Sequence, residues 1–291
     1  MIRLALRVSR ADAELVLAEL LELAPAGVEE LELDANIVEY AVYGAPGELP
    51  QLPDVRALAG GAVVEISTSE IADDWPQRWR EFHRPVLIES PVPGGAPLRV
   101  RPPWESPQAP ALAAPIDLEI DPGQAFGTGA HATTRLCLEL LLELHSHQPT
   151  GAVLDVGTGS GVLAIAAAKL GYEPLLAIDN ERESVQAAAQ NASRNGVVLD
   201  VQRIDLRNQP LPWLGTSSSD APVPIVLANL LRPLLIELAA AMARAPAHLV
   251  AGGLLAAELD EIAAVMDAHH SLRVRARRER DGWGALWLAG G

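Results

Sequence analysis

Cysteine occurs once in these 291 residues, as Cys137, so an internal disulfide and an all-cysteine metal cage are both excluded, and a reducing compartment, the cytoplasm, is expected. Basic residues are scarce as well. The 22 Lys and Arg stand against 38 Asp and Glu, a formal charge of −16 that opposes adhesion to nucleic acid or anionic membranes and suits a basic protein partner. Long apolar runs are missing: the most hydrophobic stretch, 234–257, is broken by Glu237, Arg244 and His248, so no membrane span is expected. The start, Ile2-Arg3-Leu4-Ala5-Leu6-Arg7, alternates where a signal peptide needs an unbroken apolar block. Metal-ligand spacing is absent too, and His145, His147, His269 and His270 read as surface residues. What remains is 49% apolar, too hydrophobic for general disorder and long enough for about two domains.

The first 67 residues read strand, helix, strand, strand, helix, strand. Leu4, Leu6 and Val8 alternate with polar or small residues, and Val16, Leu17, Leu20 and Leu21 follow at helical spacing. Asp34-Ala35-Asn36 separates strands over 28–33 and 37–42; a short helix over 51–59 and a strand over 63–66 complete a ferredoxin-like split unit. That unit holds no catalytic cluster, which favours recognition over chemistry. Residues 68–90 are expected to form a linker region, with Trp75 and Trp79 on one face of a helix, and 91–291 a second domain. After Gly151 short apolar strands alternate with alanine-rich helices, the pattern of an α/β parallel sheet covered on both faces. An antiparallel hairpin around Asp281-Gly282 ends the chain, and Arg273, Arg275, Arg277, Arg278 and Arg280 are expected on a solvated strand face rather than on nucleic acid, since no stacking aromatics interleave with them.

Three places carry chemistry. Val153 to Gly161 is a strand running into Gly157-x-Gly159-x-Gly161, a loop that lets a ligand approach the backbone at a helix N-terminus. Its spacing departs from the dinucleotide pattern, and Asp155 two residues before the first glycine suits the cationic amine of S-adenosylmethionine better than a pyrophosphate. Asp179, at the tip of the second strand, is placed to accept both hydroxyls of an unphosphorylated ribose; Asp205, past the third, is either an adenine contact or a turn former. Asn229 ends the fourth strand, where a neutral amide acceptor orients an incoming amine without fixing it as a salt-bridged ammonium. The run Asp121 to Thr134, with Phe126, His131, Thr133 and Thr134 among three glycines, reads as a lid over the ligand. A nicotinamide oxidoreductase and a non-catalytic docking protein on the same fold are the rival readings.

The lid run Gly123 to Thr134, with Leu154 to Ala167, Ala177-Ile178-Asp179, Asn191 to Val197 and Ala228 to Leu231, resembles the PrmA family, bacterial methyltransferases of large-subunit ribosomal protein L11. Trp75, Trp79 and Pro103-Trp104-Glu105 extend the resemblance to nearly the whole chain. It implies a class I methyltransferase: a Rossmann-like seven-stranded sheet, S-adenosylmethionine as donor, and an N-terminal domain that grips the ribosomal protein. It further implies lysine ε-amines and an N-terminal α-amine as targets, another protein lysine or amine being the alternative. By the same resemblance Thr134, Gly157, Asp179 and Asn229 contact the donor, Asn229 beside its methyl group.

Overall fold

The computed structural model describes residues 2–10, 12–13, 16–17, 20, 28–33, 36–44, 63–70, 83–107, 115–122, 131–214 and 223–290. The chain divides into two compact units, Met1–Phe82 and His83–Gly291.

In the first unit β1 (Ile2–Ser9), β2 (Glu29–Glu32), β3 (Ile37–Gly44) and β4 (Val63–Glu70) form an antiparallel sheet in the order β2-β3-β1-β4. Alternation explains its two faces. Leu4, Leu6, Val8, Val38, Tyr40 and Val42 pack with Ala13, Val16 and Leu20, residues of a helix, into one small core. On the other face Glu39 is buried between Arg3 and Arg7; burial alone raises its carboxyl pKa, but the two guanidinium hydrogen bonds outweigh it and hold the group below its usual value. The strands expected over 28–33, 37–42 and 63–66 are all present, the last two running further. The helix expected over 51–59 and the Trp75 and Trp79 helix lie outside the described residues.

The second unit opens with a three-stranded sheet, β5 (Val86–Ile88), β6 (Leu98–Arg101) and β7 (Ile116–Glu119). Its main sheet has seven strands: β8 (Val153–Val156), β9 (Leu175–Asp179), β10 (Asp200–Arg203), β11 (Ile225–Asn229), β12 (His248–Leu255), β13 (Leu272–Arg280) and β14 (Trp283–Gly290), in the order β10-β9-β8-β11-β12-β14-β13. The first five in sequence are parallel and β14 runs against β12. Helices α1 (Ala132–His147), α2 (Val162–Lys169) and α3 (Arg182–Arg194) supply one core, and α4 (Arg232–Ala241) and α5 (Leu259–His270) the other, on the opposite face. Strand order reverses between β8 and β11, the position in such sheets where ligands bind beyond the carboxyl ends.

The hairpin expected at Asp281-Gly282 is present: both residues have positive φ, 53° and 79°, as a two-residue turn of matching twist requires. Its arginines do not share one solvated face. Arg273 and Arg277 pair with Asp267 and Asp260 on α5, while Arg278 and Arg280 pair with Glu143 and Glu139 on α1. A register shift between Val274 and Ala276 adds a bulge to this edge strand, so charge and distortion together guard it against pairing with another chain. Two of the four histidines read as surface residues are partly buried instead. His145 packs on the Tyr172 ring, centroids 5.5 Å apart, and His270 Nε2 lies 2.7 Å from the Ala239 carbonyl.

Candidate active site

The glycine loop between β8 and α2 is held by backbone bonds to β9 and by the Thr158 hydroxyl. Gly157 and Thr158 donate their N–H groups to the Ile178 carbonyl at 2.9 and 3.0 Å, and Gly159 N–H donates to Asp179 Oδ2 at 2.9 Å. Gly157 has φ 69°, and a Cβ there would stand 2.3 Å from Leu230 Cδ2, so only glycine lets the residue after Asn229 close against the loop. At Gly161, φ 83°, a Cβ would stand 3.1 Å from Ala188 on α3.

Asp155 is turned into the loop and is 1% exposed, so it does not stand open to a ligand's amine. Its Oδ2 accepts the Thr158 hydroxyl at 2.7 Å and the Ala164 N–H at 3.2 Å, tying loop to helix. Burial pushes its pKa up to about 7, helped by the Asp179 charge and opposed by those two hydrogen bonds. In the unfolded chain the group reverts to an ordinary value near 3.8. Between those values the folded state holds a proton that the unfolded state has lost, so this stabilisation is full below the lower value and fades as pH rises to the upper one. Asp155→Asn keeps an acceptor without titrating. Denaturation midpoints at pH 5 and pH 8 are therefore expected to show wild type losing more stability than the variant over that interval; an identical pH response would mean that Asp155 is ionised throughout.

Asp179, 9% exposed, accepts the Glu181 N–H through Oδ1 at 3.0 Å as well as that of Gly159. It lines an open cleft with Gly157, Ile178, Asp205, Leu206 and Leu230. Asp205 closes an Asx turn, Oδ1 taking the Arg207 N–H at 3.0 Å and Oδ2 the Asn208 amide at 2.6 Å. Of the two readings open for it, the turn former is the one its hydrogen bonds express, although it does border the cleft.

The amide of Asn229 sits at the end of β11. Its Nδ2 donates to Thr134 Oγ1 at 3.4 Å, while Oδ1 is buried and has no hydrogen-bond partner among the described residues. Thr133 and Thr134 are themselves buried in the first turn of α1. His131 is the N-cap of that helix: Nδ1 accepts the Thr133 N–H at 3.4 Å and lies 2.9 Å from Thr133 Oγ1. Burial lowers its pKa, which favours the neutral ring. Phe126, with the rest of 123–130, lies outside the described residues.

Sequence reasoning assigned no role to Asn191 on α3 and Asn195, the residue that caps its C-terminus. Asn191 Oδ1 accepts the Asp121 N–H at 3.0 Å and its Nδ2 donates to the Ser160 carbonyl at 2.9 Å. Asn195 Oδ1 takes the Glu119 N–H at 2.9 Å, and its Nδ2 donates to the Glu119 carbonyl at 2.7 Å. Asn191 thus ties the start of the 121–134 run to the glycine loop, and Asn195 holds the end of β7 beside it. Two amides at helical spacing beside Ala188 and Ala192 were the available signal, since a buried amide needs partners.

Comparisons with known proteins agree with this geometry. A model of the family described as ribosomal protein L11 methyltransferase (PrmA) matches residues 51–289. A protein of that name from Symbiobacterium thermophilum is 37% identical over 238 residues, covering 81% of this chain and 72% of its own. One from Burkholderia cenocepacia is 32% identical over 306 aligned positions and covers 97% of this chain and 96% of its own. Among solved structures, the ribosomal protein L11 methylase of Lactobacillus delbrueckii subsp. bulgaricus superposes with a TM-score of 0.54 at 29% identity, over 66% of this chain and 94% of that one.

Proposed function

The chain belongs to the PrmA family of ribosomal protein L11 methyltransferases, and from that premise we propose that it transfers methyl groups from S-adenosylmethionine to lysine ε-amines and the N-terminal α-amine of L11. Membership sets aside the oxidoreductase and docking-protein readings. The observation that carries the proposal is the convergence at one switch point of a glycine loop, a carboxylate with spare acceptor capacity, and a buried amide oxygen that no described residue satisfies. A buried acceptor without a partner costs roughly 1–3 kcal/mol, so its retention marks a place where something else donates.

The residues present fit the donor. Gly157, Gly159 and Gly161 let it approach the backbone, Asp179 takes its ribose, and Thr134 and Asn229 border its reactive end, while Asp155 ties the glycine loop to α2 and Thr133 bonds His131 at the start of α1. When bound, the donor supplies an already activated sulfonium methyl, and no metal is required. Asn229 Oδ1 accepts an N–H of the incoming amine and turns the nitrogen lone pair toward the methyl. Lysine must arrive neutral from a solution pKa near 10.4, and transfer into a partly buried cleft lowers that value. The lid role read from the sequence for the run with Phe126 and His131 is to exclude water during transfer. A strongly acidic surface attracts a basic ribosomal protein in the cytoplasm, and nucleic acid is not read.

Labelled donor, recombinant L11 and mass spectrometry test this directly: methylated lysines and α-amine are expected, and an L11 left unmodified while the enzyme binds donor overturns it. The first domain, residues 1–67 in the sequence reading, is the recognition domain, 68–90 the linker and 91–291 the methyltransferase domain. A chain trimmed to His83–Gly291, which retains both larger cores, is expected to bind donor normally yet lose about a hundredfold or more in kcat/KM for intact L11. Normal efficiency in the trimmed enzyme would remove the recognition role.

A further inference from the structure

Two strands away from Asn229, on the same face of the sheet, stands an aromatic pair that the proposed reaction has not used. Trp283 begins β14, and its ring meets His131 edge to face, centroids 4.9 Å apart and planes at 70°. The shared face follows from Gly252 on β12. A Cβ at Gly252 would lie 3.0 Å from Asn229 Oδ1, 2.3 Å from Cys137 Sγ and 3.7 Å from Ala285 Cβ. Ala285 is two residues from Trp283 along β14, so both project to the α1 side, where Trp283 packs against the same core as Ala285. Asn229 pairs with Gly252 across β11 and β12, and Leu255 pairs with Trp283 across β12 and β14. All these residues thus lie along the carboxyl-end edge of the parallel strands.

Strand spacing sets the scale. Two spacings amount to about 10 Å, and Trp283 lies two residues beyond Ala285 along β14, a further offset of about 6.6 Å, so the two Cα positions stand roughly 12 Å apart and the reach of the Asn229 amide and the Trp283 ring shortens that toward the length of a lysyl side chain. That length is roughly 6 Å from Cα to Nζ, given carbon–carbon bonds of about 1.5 Å. Between the two, β12 contributes Gly252, which the buried Cys137 of α1 covers, and Leu255, which pairs with Trp283, so the lysine stem comes in from beyond the carboxyl ends of the strands and not across β12. Trp283 is only partly buried, which is what a wall exposed to a passing chain requires.

We infer that Trp283, backed by His131, is the wall against which the aliphatic stem of the acceptor lysine packs, so that its amine is delivered to Asn229 Oδ1. The inference rests on the lysine-methyltransferase reading and adds to it the subsite that measures the acceptor. A lysine stem buries its methylenes on an aromatic face while the nitrogen travels on. The neutral His131 ring does not repel a cation on its way in.

The test compares Trp283→Leu and Trp283→Phe with wild type, using full-length enzyme and recombinant L11, with donor affinity measured separately by calorimetry. Trp283→Leu is expected to lower kcat/KM for L11 by about tenfold or more, with Phe restoring most of it and the donor dissociation constant unchanged within about twofold. A Leu variant within about threefold of wild type, or one whose donor affinity falls in parallel, overturns the subsite. A second measurement does not depend on the Leu variant folding: the indole N–H resonance of Trp283 in wild type, assigned through Trp283→Phe, should shift on adding L11 to the donor-bound enzyme. An unmoved resonance under saturating L11 counts against the wall. Wild type that fails to methylate L11 at all would fault the underlying reading instead, so the two failures are distinguishable.

Discussion

Replacing Asn229 by alanine is expected to cut the single-turnover rate at saturating donor by about a hundredfold, while the donor's dissociation constant shifts by less than about tenfold. The asymmetry follows from where its atoms are. Nδ2 is engaged by Thr134 and Oδ1 is buried without a partner among the described residues, so the oxygen is held ready for a group that arrives only with the acceptor. An interaction made mainly in the transition state shows in the rate rather than in ground-state affinity. The same bond changes what Thr134 is expected to do. If Thr134 served the donor alone, Thr134→Val would only weaken donor binding; because its hydroxyl fixes the amide, the variant should also slow transfer with Asn229 intact. Asn229→Asp supplies the remaining control, since a carboxylate there holds the amine as an ammonium and should be slow near neutral pH. A normal saturated rate for Asn229→Ala would reduce the residue to a strand terminator.

The segments that positioned these groups were legible wherever local chemistry and global fold demand the same residues. Val153 to Gly161 reads as strand, loop and helix because a fully buried strand needs a continuous apolar run and the turn needs positive φ at its glycines. Asp281-Gly282 reads as a hairpin for a similar reason, both turn residues being left-handed. The direction in which a polar side chain points is not encoded this way. Asp155 and Asp179 are both acids beside a glycine loop, yet one is folded beneath the loop and the other lines the cleft, a difference set by tertiary contacts with Thr158 and Ala164. The β13 arginines show the limit again. Period two predicts one solvated face, but the bulge between Val274 and Ala276 breaks that period, and only the packed helices reveal the partners Asp260, Asp267, Glu139 and Glu143. Strand β5, three residues flanked by proline and polar chain, is too short for periodicity to register.

Asp179→Ala is expected to weaken donor binding by on the order of 1.5–3 kcal/mol, roughly ten- to 150-fold, the scale of hydrogen bonds to a charged group. Two causes are entangled in that number. A carboxylate offers about four lone-pair sites, and backbone N–H groups of Gly159 and Glu181 take two, one on each oxygen, which leaves capacity for two ribose hydroxyls. Removing the side chain therefore deletes the ribose contact and also frees the glycine loop. A donor analogue lacking the ribose 2′-hydroxyl separates them. Wild type should bind it more weakly than the natural donor, whereas Asp179→Ala should bind both alike, because the group that distinguished them is gone. If the variant still discriminated to the wild-type extent, the hydroxyl would be read elsewhere and Asp179 would act only through the loop. Asp179→Asn should not rescue: one of its two polar ends is an amide nitrogen, so either Gly159 or Glu181 then faces a donor where it had an acceptor.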